Sequence, residues 1–299
     1  MRKRMLLCMV SCVLAASCIS GTGVGAEAGV EVDAEVGAEV GAESFLYNIM
    51  LIGVDRRDDS WEGNSDTMML VSVNEEKEQI SVISMMRDMG VNIPGIGVRK
   101  MNAANANGGA ELVLETVQTN FDVDVERYAS VDFEDLIAIV DAVGGVELTM
   151  SDEEAEQVNN EVTYLCGLQE LDPTSYYLPG GGTFLCNGMQ AVNYARIRFV
   201  GNSDYERTER QRTLVTGILE KVKGLDAANL LKLTQEILEN VEHNIPISEW
   251  MQLVWKADEI MQYEMITDRI PYDGLFYSEG ELLMPEWDAT LERLYATLY

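Results

Sequence analysis

The chain has 299 residues, 47% of them hydrophobic, with 51 acidic side chains against 21 basic ones and a net charge of -30. That length allows one large domain or two small ones, and an acid excess spread along the whole chain excludes bulk DNA or RNA binding, which takes positive surface. A lone histidine, His243, excludes triads and zinc sites built on several histidines, so any metal falls to carboxylates, which favour magnesium, calcium or manganese.

Residues 1–26 read as an export signal or membrane anchor. Arg2-Lys3-Arg4 is a positive start, and Met5 to Ala16 is a short, mostly apolar run. Three fates stay open. Val24-Gly25-Ala26 offers a small-residue cleavage site. Leu14-Ala15-Ala16-Ser17-Cys18 approximates a lipoprotein box with its leucine one position early. The run from Met5 to Val24 can also remain as a weak anchor. All three place the domain outside the cytoplasm. In residues 27–44, Glu27, Glu31, Glu35, Glu39 and Glu43 recur every fourth residue among Ala, Gly and Val. Stacked on a helix they would repel, so the expectation is a disordered acidic spacer.

The folded domain is expected over 45–299. Asn48 to Val54 reads as a buried strand. Thr67 to Val73 and Ile80 to Met85 read as a hairpin around Asn74–Glu78. Gly109 to Thr119 reads as a helix and Tyr128 to Val131 as a strand. Phe133 to Val143 reads as a helix capped by Asp132 and ended by Gly144-Gly145. Val146 to Met150 is a further strand. Ser151 to Gly182 reads as an irregular insertion. Asp204 to Lys223 is a helix ended by Gly224, followed by helices near Asp226 to Glu239, Ser248 to Met261 and Pro285 to Leu298. Interleaved strands and helices imply helices on both faces of a mixed sheet. Cys8, Cys12 and Cys18 belong to the leader. Cys166 and Cys186 are left as a pair in an oxidising compartment, so a disulfide is expected, worth about 3 kcal/mol for its loop of about twenty residues. His243 reads as a surface or capping residue, and Trp250, Trp255 and Trp287 as packing residues. The sixteen methionines read mostly as core filler, a minority suiting a lipid cavity.

Five arginines, Arg196, Arg198, Arg207, Arg210 and Arg212, fall within seventeen residues, and no lysine occurs between Lys100 and Lys221. Arginine without lysine points to the planar guanidinium fork, which binds phosphate or carboxylate in bidentate fashion. The stripe Leu214, Ile218, Val222 runs back through Gln211 and Arg207. Arginine on a core-facing side is costly unless an anion meets it. Arg196 and Arg198 would point the same way in an extended segment. The bland alternative is internal salt bridges with Asp204, Glu206 and Glu209. Asp55, Asp66 and Arg87 flank the first three strands, as carboxylates and arginine do where an enzyme holds magnesium and pyrophosphate.

The ordered segments Asn48–Asp55, Ser65–Met69, Ser84–Asp88, Lys100–Ala104, Gly108-Gly109, Val140–Val146, Tyr194–Arg198 and Asp204–Gln211 together resemble the LytR–CpsA–Psr family of cell-wall proteins. The resemblance implies a three-layer α-β-α sandwich around a central mixed, largely antiparallel sheet. It implies transfer of a glycopolymer from a polyprenyl-pyrophosphate carrier to peptidoglycan through a phosphodiester bond, at the extracellular face of the cytoplasmic membrane of a bacterium with a thick wall. Implied partners are the lipid-linked glycan, peptidoglycan and the outer membrane face; the implied cofactor is magnesium, with manganese as a substitute. By the same resemblance Asp55 and Asp66 hold the metal. Arg87, Arg196, Arg198, Arg207 and Arg210 hold the pyrophosphate; Lys100, Asn102 and Gln211 are further candidate contacts, and Arg57 or its neighbour Arg56 is a candidate to compensate for Asn64. The catalytic set is Arg87, Asp88, Arg198, Asp204 and Arg210, with Asp88 or Asp204 as candidate proton acceptor. Family members often carry arginine two residues before the second aspartate, where this chain has Asn64. The proline before the first-half arginine is Met86. A non-catalytic polyprenyl-phosphate binder and an extracellular pyrophosphatase are alternatives on the same fold.

Overall fold

Three continuous apolar runs give the first three strands, β1 (Leu46–Val54), β2 (Ser65–Asn74) and β3 (Gln79–Met85). The computed structural model describes residues 45–54, 63–198, 200, 203–225, 229–230, 233–235, 237 and 241–299, without the side chains of 203 and 204. The expected leader and spacer (1–44), Asp55, Arg57, the Asp204 side chain and part of the helix expected over 226–239 lie outside the described residues.

The remaining strands are β4 (Gly90–Ile93), β5 (Gly97–Lys100), β6 (Arg127–Val131), β7 (Val146–Met150), β8 (Gly182–Cys186), β9 (Glu242–His243), β10 (Glu264–Ile270), β11 (Phe276–Glu279) and β12 (Leu282–Pro285). The helices are α1 (Ala103–Phe121), α2 (Phe133–Ala142), α3 (Asp152–Leu168), α4 (Gly188–Arg196), α5 (Ser203–Lys223), α6 (Ile247–Ile260) and α7 (Trp287–Leu298). The central sheet has six strands in the order β10-β3-β2-β1-β6-β9. β1–β2, β2–β3 and β6–β9 are antiparallel, while β1–β6 and β10–β3 are parallel. Three smaller two-stranded sheets pair β4 with β5, β7 with β8, and β11 with β12.

Strand alternation sorts the side chains into two layers. Met50, Leu70 and Ile83 stand opposite one another in register. They enter a core completed by Val113, Val117 and Phe121 of α1 and Leu294 and Leu298 of α7. The next row, Ile49, Val71 and Val82, faces the other way, and α5 lies against β3. Helices therefore cover both faces, as expected. A second apolar cluster joins α2, α3, α4 and α5 to the β7–β8 ribbon.

Local chemistry sets the helix ends. Asp132 caps α2 by accepting from the Glu134 and Asp135 amides, and the Asp135 carboxylate accepts in return from the Asp132 amide, a reciprocal capping box. Gly144 and Gly145 follow with φ of 80° and 86°, a left-handed turn that side chains resist. Helix α1 starts earlier than expected. It is broken at Gly108 and Gly109 and continues from there to Phe121.

Four expectations change. The insertion after Ser151 is largely helical. Ser151 and Glu154 form a capping box, and Ala155, Val158, Val162 and Cys166 bury one face of α3. The cysteines form no disulfide. Cys166 and Cys186 are both free thiols with no exposed surface, packed in the second cluster as small apolar side chains. Arg196 is the last residue of α4, so the extended-strand argument pairing it with Arg198 fails. Trp255 is 56% exposed and is not a packing residue. His243 behaves as expected, its Nδ1 accepting from the Ile245 amide at 3.2 Å.

Two measurements follow from this packing. Burial pushes the Cys186 thiol up to about 11, so alkylation at pH 8 should spare it in folded protein, whereas unfolding without reductant should expose two alkylatable thiols by intact mass. Separately, Arg127 clasps Glu249 in bidentate fashion, Nε to Oε2 at 2.7 Å and Nη2 to Oε1 at 2.6 Å, tying β6 to α6. Hydrogen bonding to Arg127 lowers the pKa of Glu249. A lowered carboxylate adds stability that is fully present above its unfolded value, about 4.3, and is lost as pH falls through the folded one. Glu249→Gln should cost about 1 kcal/mol at pH 7 and flatten the loss of urea resistance below about pH 4; identical pH profiles would remove this role.

Candidate active site at the carboxyl edge of the sheet

Strand direction puts the charged residues together. β1, β3, β6 and β10 run the same way, so their carboxyl ends share one sheet edge with the start of the antiparallel β2. Ligands of open α/β sheets are usually met at such an edge. At its end the β1–β2 ladder slips. Gly53 pairs with Thr67 but Val54 pairs with Ser65, leaving Asp66 opposite no residue. A bulge of this kind re-aims a side chain. The preceding loop is held to α1 by the buried Asn105 side chain, whose Nδ2 donates to the Gly63 carbonyl at 3.0 Å.

Asp66 is the centre of the site. Its Oδ1 accepts from Arg87 Nη1 at 2.9 Å, two residues beyond β3. Its Oδ2 accepts from Arg198 Nη2 at 2.5 Å, in the segment joining α4 to α5. Arg207 Nη1, from the second turn of α5, stands 3.9 Å from the same oxygen. Three guanidinium groups thus converge on one carboxylate. Arg207 is only 2% exposed, and Leu214 continues its side of α5 into the second cluster. Gln211 lies part-buried one turn after Arg207.

A second group flanks the first. Lys100, at the end of β5, meets Asp88 Oδ1 at 2.9 Å and Glu281 Oε2 at 3.2 Å. The hydrogen bond to Asp88 is the main cause that raises the pKa of Lys100. Asp88 also lies 3.8 Å from Arg87 Nε, and its carbonyl accepts from the Leu283 amide at 2.9 Å in β12. The Asn102 amide donates to the Arg87 carbonyl at 3.2 Å, fixing the backbone at Arg87. Its side chain makes no cap bond to α1.

The other expected residues go elsewhere. Arg196 stacks over the Phe133 ring at 4.1 Å, a cation–π contact. Arg210 meets Glu154 and Glu206 and donates to the Val200 carbonyl. Arg212 pairs with Glu209 and donates to the Asp268 carbonyl at 3.2 Å. Arg210 and Arg212 thus form the expected internal salt bridges with Glu206 and Glu209, while Arg198 and Arg207 gather on Asp66. Asn64 is exposed. The sequence did not reveal Glu154, Glu281 or Arg269. Arg269, next to last in β10, lies beside Met86, Nη1 3.6 Å from its Sδ, with its guanidinium 4.5 Å over the Tyr205 ring. The Ser151-x-x-Glu154 spacing signals a helix start, but nothing local announces an arginine partner.

Asp66 is a hard oxygen donor of the type magnesium takes, and the chain places Asp55 directly after Val54. The donor chemistry fits magnesium, with one condition: both Asp66 oxygens face arginine in this structure, so a metal there needs an arginine to turn to another anion. Among the described residues no group of three or more carboxylate, histidine or cysteine side chains is gathered for a metal.

Residues 25–291 match the family model described as LytR_cpsA_psr family. The chain is 34% identical over 215 residues to "Biofilm regulatory protein A" of Streptococcus mutans, covering 68% of this chain and 50% of that protein. It is 35% identical over 203 residues to "Polyisoprenyl-teichoic acid--peptidoglycan teichoic acid transferase TagU" of Enterococcus faecalis, covering 67% and 60%. The chain thus spans about half to three fifths of the length of these relatives. Its fold is similar to "LytR-CPS2A-psr family protein YwtF (TagT) with bound octaprenyl pyrophosphate lipid", with a TM-score of 0.62, 22% identity and coverage of 85% and 88%. By its match over most of its length, the chain belongs to the LytR–CpsA–Psr family.

Proposed function

We propose that the protein transfers a glycopolymer from a polyprenyl-pyrophosphate carrier to a peptidoglycan hydroxyl, at the outer face of the membrane. The observation that carries this reading is the convergence of Arg87, Arg198 and Arg207 on Asp66. Guanidinium forks match phosphate oxygens. Here Asp66 occupies them, and a pyrophosphate offers more acceptor oxygens than one carboxylate does. The name of the Enterococcus faecalis relative, a transferase acting between a polyisoprenyl-linked polymer and peptidoglycan, supports the same chemistry.

In the reaction, the acceptor oxygen forms a new bond to the phosphorus on the glycan side. The bridging P–O bond to the lipid phosphate breaks, and the lipid leaves as its monophosphate. Arg87, Arg198 and Arg207 stabilise charge on the phosphate oxygens, a preorganised role. Lys100 adds a further cation, set by Asp88. The Asp88 carboxylate is committed to Lys100 and close to Arg87, which makes its role orientation; the acceptor proton then falls to Asp204. Asp55 and Asp66 would hold magnesium, which when bound supplies Lewis-acid stabilisation of the phosphate oxygens.

The lipid tail needs apolar surface beyond the head group. Along α2 only Val140 is fully buried. Leu136, Ile137 and Ile139 are part-buried against the second cluster, as are Ile218 and Val222 of α5. Apolar side chains left part-exposed beside a charged site suit a long hydrocarbon chain. The octaprenyl pyrophosphate lipid bound to YwtF (TagT), whose fold is similar, supports that use.

The test is transfer from a synthetic lipid-linked donor to peptidoglycan, with products identified. Arg198→Ala should lower transfer at least ~100-fold, as for loss of a charge-stabilising donor, with the fold retained by circular dichroism. Asp66→Ala should lower activity and magnesium response together. Wild-type transfer that is equal in chelator and in magnesium would remove the metal role, and release of free polymer phosphate with water as sole acceptor would make the protein a pyrophosphatase. Affinity for polyprenyl phosphates should rise with chain length, by up to ~0.8 kcal/mol per buried methylene; a flat series would exclude a tail site.

A further inference from the structure

Family resemblance puts Arg210 beside the phosphate, yet its side chain faces α3 and is 4% exposed. Nε lies 3.4 Å from Glu154 Oε1. Nη2 donates to the Val200 carbonyl at 2.9 Å and lies 3.6 Å from Glu206 Oε2. Glu154 is itself fixed: its Oε2 accepts from the Ser151 amide at 2.8 Å in the capping box that starts α3. A buried arginine needs a counter-charge. Glu154 is the more buried of its two carboxylates, with 17% exposure against 47% for Glu206.

The Val200 carbonyl lies two residues beyond Arg198, in the segment that joins α4 to α5. Arg198 is 49% exposed, so packing does little to position it. Asp66 holds its guanidinium, and the backbone beside it sets where the side chain begins. We infer that Glu154 and Arg210 form a positioning strut that holds the Arg198 backbone in place, and that α3 is thereby coupled to the active site through the carboxylate of Glu154. The inference rests on the phosphate-binding role of Arg198 given above. Neither strut residue touches substrate. Glu154 neutralises Arg210, Arg210 anchors the backbone at Val200, and the anchored backbone presents Arg198 to the anion. Removing Glu154 leaves a buried cation without its main partner, and the guanidinium is then drawn away from Val200 toward water or Glu206.

Two readouts on the full chain test this. The first is amide hydrogen exchange of the ligand-free protein in the peptide containing Ile197 and Arg198. The second is affinity for farnesyl pyrophosphate by calorimetry. Glu154→Ala and Arg210→Ala should each speed exchange there and weaken binding ~10-fold, the scale of one lost charged hydrogen bond. The double variant should be no weaker than the weaker single, as for two residues acting as one unit. Glu154→Gln, which keeps an acceptor for Arg210, should fall between wild type and Glu154→Ala. Arg198→Ala should weaken binding without faster exchange. Unchanged exchange in both single variants overturns the strut. So does weaker binding in Arg210→Ala alongside unchanged or tighter binding in Glu154→Ala, since that pattern makes Arg210 a direct phosphate ligand released by loss of its carboxylate. If the wild type fails to bind farnesyl pyrophosphate, the phosphate-site reading falls, and the exchange measurement still decides whether the strut exists.

Discussion

A carboxylate shared by three arginines needs a rigid frame, because each guanidinium comes from a different part of the chain. Arg87 follows β3, Arg198 follows α4, and Arg207 lies inside α5. Asp66 is brought to them by one extra residue at the end of the β1–β2 ladder. Brought together without the carboxylate, the three cations would repel, and the burial of Arg207, at 2% exposure, would cost more. Asp66 therefore stabilises the site as it stands in this structure. The site's parts are held by the sheet on one side and by α5 on the other. Apolar packing supplies the rigidity that the polar groups lack.

The same logic divides the arginine cluster. Arg207 and Arg210 lie three residues apart on α5, so both emerge near one side of the helix. Arg207 leans toward the sheet edge and Asp66, and Arg210 leans toward α3 and Glu154. Arg212 turns to β10, where it donates to the Asp268 carbonyl. One helix thus joins the head-group site, the α3 insertion and the edge of the sheet. Arg210 and Arg212 each direct two guanidinium nitrogens to two acceptors. Lysine offers a single charged nitrogen and could not serve Glu154 and Val200 in this way.

Much of this was legible in the sequence, for identifiable reasons. β1, β2 and β3 carry unbroken apolar runs, and the turn between β2 and β3 is polar. The cap at Asp132 and the stop at Gly144-Gly145 are local signals that tertiary contacts do not override. Helix α3 was hidden because its buried stripe, Ala155, Val158, Val162 and Cys166, is diluted by acids and amides on every other side. β10 was hidden because Glu264, Asp268 and Arg269 interrupt its alternation; it lies at the edge of the sheet, where such residues are tolerated. The relation of Arg196 to Arg198 depends on where α4 stops, which spacing alone does not set. Asp66 could be suspected from its place before a strand. The bulge that aims it is a property of pairing between strands, and no single segment encodes it.

The overall charge of the protein sets a final constraint. A chain with a net charge of -30 repels a pyrophosphate at long range, yet salt screens that repulsion beyond about 8 Å at physiological ionic strength. Within that distance the local arginines decide. Long-range steering of the kind that speeds association of opposite charges is not available to this protein. Capture of the proposed pyrophosphate must then depend on contact with the arginines themselves. Desolvation strengthens the remaining electrostatics, since a buried guanidinium acts in a lower dielectric than water. For the proposed lipid pyrophosphate, burial of Arg207 and the part-buried apolar side chains of α2 and α5 are thus two sides of one arrangement: a surface that suits a tail also excludes the water that would weaken the hold on a head group.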